Sequence, residues 1–277
     1  MRLTRRGRLA ATITSLALLV ALGGYLLLRT PVGSALGFTA GPPCALTVND
    51  EPLEWSTEQA MTATTVAGVG TRIGATVNGV AAAVARSLDP EPETALPVEA
   101  AREVYRSLPD VASPTEQEIG VARALLGHDG GVLTCVLPFT EGAAEPREDP
   151  GRIGLTPRAD GMRLAMRAVF GKQSLGGFDR GGVDSGHIEG SAHYEGRAVD
   201  VFFRPVTAAN RRLGWQQAQW SVAHADRLEL ATVIFDRTIW TARRSLEGWR
   251  EYRYPGGTDN PILLHEDHVH LDVVEGG

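Results

Sequence analysis

The residue types that can do chemistry are concentrated in two short runs, Ser191-Ala-His-Tyr-Glu-Gly-Arg-Ala-Val-Asp200 and His265-Glu-Asp-His-Val-His270. In the second run Val269, Leu271 and Val273 alternate with His268, His270 and Asp272, the period of a strand with one apolar and one polar face. His268 and His270 therefore share a face. In the first run Asp200 lies in a strand-like stretch, residues 199–203, and His193 precedes it across a turn that Gly196 makes easy. A loop imidazole and a strand carboxylate can then converge on one point. A borderline cation such as Zn²⁺ takes imidazole nitrogen and carboxylate oxygen, and three protein ligands leave a fourth position open, which separates a catalytic site from a structural one. Zinc can acidify a bound water to a pKa of about 7, but a neighbouring base must still handle the proton. His268 is the natural candidate. Against this stands the plainer reading that a lone buried histidine satisfies a core hydrogen bond and that His-x-His strands occur by chance.

The pattern Ser-x-His-x-x-Gly-x-Ala-x-Asp with a downstream His-x-His strand resembles the superfamily of D-alanyl-D-alanine metallopeptidases, lysostaphin-type endopeptidases and the Hedgehog N-terminal domain. The resemblance implies that His193, Asp200 and His270 are zinc ligands and that His268 polarises water or steadies the tetrahedral intermediate. It also implies a second catalytic imidazole at His265, because His-x-x-His-x-His is similar to the penicillin-insensitive murein endopeptidase. The D-Ala-D-Ala branch places a Glu three residues before the last ligand, where this chain has the shorter Asp267, so the general base stays open among these three. Val233-Ile-Phe-Asp-Arg-Thr-Ile-Trp240, Gly248-Trp-Arg-Glu-Tyr252 and the His-x-x-His-x-His ending also resemble the C-terminal domain of secreted actinobacterial proteins of mostly undetermined function. Together these resemblances cover roughly residues 155–275.

Around the two runs, His187 and Glu189 are either partners that orient a ligand imidazole or ordinary loop residues. The Ser191 hydroxyl suits local backbone bonding. Arg180 or Arg197 is placed to hold a substrate carboxylate or simply to face solvent.

Arg2, Arg5, Arg6 and Arg8 precede an uncharged stretch, residues 9–28, long enough to cross a bilayer as a helix. The positive flank keeps the N-terminus inside and sends the rest out, as a single-pass anchor or, if cleaved, a signal segment. Cys44 and Cys135 both fall on the outer side, where a disulfide persists; closing about ninety residues stabilises by roughly 4 to 5 kcal/mol in the chain-entropy account. Of the 27 basic and 33 acidic residues, five basic and no acidic ones lie at or before Arg29, which leaves 22 against 33 beyond it. That excess of acid argues against nucleic acid as a partner.

The elements read in order give a membrane segment over residues 1–29, a Gly/Pro linker over 30–43, a helical module closed by the disulfide over 44–139, a polar hinge over 140–154 and the zinc domain over 155–277. Within the module a long Ala/Val/Thr run follows the capping signal Ser56-Thr-Glu-Gln as far as Leu88, and residues 98–108 suggest another helix. The last region predicts helices over 158–170 and 208–227, a strand over 229–235 and the final metal strand. The expected fold class is α+β, an antiparallel sheet with flanking helices around a single zinc site. The function expected from this reading is that of an extracytoplasmic zinc peptidase acting on peptidoglycan peptides, a carboxypeptidase or endopeptidase of D,D or L,D type. The alternative is an inactive zinc-containing module that binds wall peptides or a protein partner.

Overall fold

A computed structural model describes residues 43–109, 113–137 and 145–277. The stretch 9–28, the linker up to residue 42 and residues 140–144 of the hinge lie outside these. Among the described residues no helix is long and apolar enough to cross a membrane.

The fold is mixed helix and antiparallel sheet. Strands β1 (Cys44–Val48) and β2 (Glu51–Trp55) form a hairpin, and β3 (Leu133–Cys135) pairs on the other side of β1. Cys44 sits directly opposite Cys135 in that pairing, and the two form a disulfide. Four helices connect β2 to β3: α1 (Thr57–Ile73), α2 (Val77–Leu88), α3 (Val98–Arg106) and α4 (Glu116–Leu125). The apolar run read as continuous from residue 56 to 88 is broken at Gly74, which takes φ 74° and ends α1; Thr76 then caps α2. Ser56 and Gln59 make the reciprocal capping box that starts α1. The segment expected to be helical thus carries a three-stranded sheet as well.

Beyond it, α5 (Pro157–Phe170) leads to β4 (Leu175–Gly176) and β5 (Ala198–Phe202), and α6 (Ala208–Ala223) to β6 (Leu230–Phe235). Then follow β7 (Thr238–Thr241), β8 (Arg250–Glu251) and β9 (His268–Val273). These six strands order as β4-β5-β9-β6-β7-β8, every pairing antiparallel. The last strand in sequence therefore sits inside the sheet. Val269, Leu271 and Val273 are completely buried on one face of β9, each stabilising by about 1.5 to 3 kcal/mol, which commits His268 and His270 to the other face.

Residues 43–277 form one compact unit with a continuous core. Helix α6 is its centre and carries buried glutamines whose amides must be satisfied. Gln219 accepts from the Leu133 N–H and donates to the Ala124 carbonyl, both at 3.1 Å, and Gln216 donates to Thr71 Oγ1. Trp249 Nε1 donates to the Leu133 carbonyl at 2.8 Å and Trp240 Nε1 to that of Cys135 at 3.3 Å. Trp240 and Trp249 thus hold the disulfide strand against the large sheet.

His224, at the end of α6, donates from Nδ1 to the Trp220 carbonyl at 2.8 Å, and its Nε2 accepts from Thr65 Oγ1 on α1. Burial lowers its pKa to about 4. Because the folded state resists protonating this ring, its contribution is complete above the ordinary value near 6.5 and is lost as pH falls toward 4. Between pH 7.5 and 5 the metal-free protein should lose roughly 2 kcal/mol more in urea unfolding than a His224→Gln variant does; equal losses would remove this role. Reduction of Cys44–Cys135 should cost about 4 kcal/mol in the same assay.

Candidate metal centre

The sheet register builds the site. Asp200 on β5 stands directly opposite His270 on β9, so both side chains leave the same face, and Phe202 stands opposite His268. His193 comes from the turn before β5, where the Gly196 N–H donates back to the His193 carbonyl. Its ring lies over Gly177, just past β4. A Cβ at 177 would clash with Cε1 and Nδ1 of the His193 ring, and the φ of 79° there also calls for glycine.

His193 Nε2, Asp200 Oδ1 and His270 Nδ1 form a nearly equilateral triangle with sides of 3.1, 3.2 and 3.3 Å. One face of a tetrahedron with ligand bonds of about 2.0 to 2.1 Å has edges of about 3.3 to 3.4 Å. These three buried residues can therefore hold a metal ion with little rearrangement. The far nitrogens of both rings are engaged. His193 Nδ1 donates to the Gly177 carbonyl at 2.7 Å and His270 Nε2 to Asp272 at 3.2 Å, which fixes the tautomers that leave the inner nitrogens for a metal.

Electrostatics agree with that geometry. Burial pushes the Asp200 carboxyl up, but the adjoining His193 and His270 imidazoles outweigh it and hold the group well below the usual carboxylate range. Burial likewise pulls His270 down, and Asp200 and Asp272 reverse the effect and raise it to about 9. A cation would replace that proton among the same acids.

His268 lies beside the triangle, its Nε2 3.8 Å from Asp200 Oδ1. Its Nδ1 donates to Asp267 Oδ1 at 2.7 Å, and Arg204 holds the other Asp267 oxygen. Asp267 thus sits behind His268 with both oxygens occupied, an arrangement that positions the imidazole. His265 faces the same space, its ring centre 4.7 Å from that of His268 and 5.7 Å from that of His270. Burial, then the neighbouring His270 and His268, lowers its pKa to about 2, so it is neutral. Tyr252 packs edge-on against it.

A cleft of about 640 Å³ opens over these groups, walled by Phe202, Ile234, Tyr252, Tyr254 and Ile262. His187 is in its wall, stacked on His193 at 3.9 Å, whereas Glu189 is exposed. Burial, followed by the neighbouring His193, lowers the His187 pKa. Ser191 Oγ accepts from the His193 N–H. Arg197 reaches the cleft but is bound to Glu195 and the Val273 carbonyl, and Arg180 is exposed outside it. Cys44 and Cys135 belong to the smaller sheet.

Residues 151–261 match the family described as VldE, C-terminal domain. This VldE-like region contains His193 and Asp200 and stops short of His265, Asp267, His268 and His270. No curated protein and no solved structure matches the chain.

Sequence reasoning did not assign Asp272 or Arg204. For Asp272 the signal was present, since it continues the polar face of His268 and His270. An Asp272→Asn variant should stay folded and bind metal about 10- to 100-fold more weakly in a chelator-competition titration. Unchanged affinity would show that the carboxylate does not support the site.

Proposed function

We propose that the chain is an extracytoplasmic zinc-dependent peptidase that hydrolyses an amide in peptidoglycan peptides. The observation that carries this reading is the three-ligand triangle lying on the floor of a cleft, with an oriented imidazole at its edge. Two imidazole nitrogens and one carboxylate oxygen suit zinc, and three protein ligands leave a position for water or substrate. When bound, zinc supplies Lewis acidity toward the amide carbonyl and lowers the pKa of a nearby water.

The protein's own groups do the rest. With Nδ1–H given to Asp267, His268 keeps its Nε2 lone pair toward the metal-binding face, where it accepts the proton of the attacking water and passes it to the leaving amine. Arg204 and Asp267 limit ring rotation, so the nitrogen is in place before substrate arrives. His265 is an uncharged imidazole beside the same space and suits donation to the oxyanion that develops on the carbonyl. The aromatic wall gives a short peptide an apolar surface to lie on. The substrate class rests on the resemblance of the two histidine runs to wall-peptide metallopeptidases. An exterior location rests on residues 9–28, as anchor or as removed signal.

His268→Ala should retain metal and lose about 10²- to 10⁴-fold in release of fragments from purified peptidoglycan, read by mass spectrometry. Metal retained with no fragments from either protein would favour a zinc-containing module that binds wall peptides without cutting them. Undiminished cleavage by the variant would take the proton-transfer role from His268.

A further inference from the structure

We infer that Arg204 anchors a free α-carboxylate, so that the site acts on the C-terminal end of a peptide; this rests on the peptide-directed reading above. Asp200, Phe202 and Arg204 follow one another at two-residue spacing, the first two on β5 and the third just beyond it. Alternation puts the metal ligand and the aromatic ring on the same face. The Arg204 guanidinium carbon lies 4.1 Å from the centre of the Phe202 ring. Its Nε donates to Asp267, the residue that orients His268.

One ring stack and one hydrogen bond thus fix the plane of the guanidinium. The terminal Nη groups have no hydrogen-bond partner among the described residues, although the side chain lies in the cleft wall and is 49% exposed. Arg197, the other arginine in that wall, differs: its Nε and Nη2 are bound to Glu195 and its Nη1 to the Val273 carbonyl. Among the described residues Arg204 therefore supplies the cleft's available guanidinium edge. Two parallel N–H groups in one plane match a carboxylate, and the ring beneath favours the charged planar group over a hydrated point charge.

The cleft volume, about 640 Å³, lies in the range of sites that enclose a small ligand, so it suits a chain end. Hydrolysis there adds the hydroxyl of water to the acyl carbon and its hydrogen to the leaving nitrogen. The products are a shortened peptide acid and a released residue or short fragment that carries the anchored carboxylate.

Binding is best measured in zinc-loaded full-length protein carrying His268→Ala, where the orienting role of Arg204 no longer matters. The probes are a tripeptide ending in D-alanyl-D-alanine and its C-terminal amide. The acid should bind at least about 30-fold more tightly than the amide, a preference that Arg204→Gln abolishes and Arg204→Lys keeps in part. Equal binding of acid and amide, failure of both to bind, or a preference that survives Arg204→Gln would overturn the assignment. Cleavage of the same pair by protein with His268 intact separates the two claims. Selective binding without cleavage would keep the anchor and remove the peptidase, whereas equal cleavage of both peptides would keep the peptidase and remove the anchor.

Discussion

Burial of one face of β9 is the constraint from which the site follows. Val269, Leu271 and Val273 leave no exposed surface, and moving the strand by one residue would put them in the cleft and bury three polar side chains in the core. With that register fixed, the pairing of β5 against β9 sets Asp200 beside His270. The sheet thereby keeps Asp200 Oδ1 and His270 Nδ1 3.2 Å apart, a cost in electrostatic strain that the proton on His270 and its bonds to Asp200 and Asp272 relieve. The third atom comes from the turn that folds over Gly177.

Much of this was legible because strand alternation is a local signal. The shared face of His268 and His270, and the seven-residue step from His193 to Asp200, are read from spacing alone. Asp272 belongs to the same alternation, yet spacing does not reveal that it faces the outer nitrogen of His270. The links from Arg204 to Asp267 and on to His268 were not legible, because they join a residue after β5 to a residue before β9 through side-chain geometry. For the same reason sequence position left Asp267 open as a base, and only the structure shows its two oxygens taken by His268 and Arg204.

The fold class followed from the order of elements, but the short strands did not. Cys44–Val48 and Leu133–Cys135 are too brief for a periodic pattern to stand out, and they become strands by pairing across 91 residues of sequence. The break between α1 and α2 had a visible signal in Gly74, masked by the similar composition on either side. Least legible was the joining of the N-terminal segment to the large sheet. Gln219, Trp240 and Trp249 look like ordinary helix and core residues in sequence, and only the structure shows their polar atoms satisfying the backbone around β3 and α4. These contacts make the helices part of the scaffold that carries the cleft.

The central claim is that His193, Asp200 and His270 hold one metal ion, and metal content tests it most directly. Elemental analysis of the purified protein, dialysed against buffer with trace zinc, should give one zinc per chain, and His193→Ala prepared in the same way should give close to none. A metal-free parent, or equal zinc in the two proteins, would contradict the account.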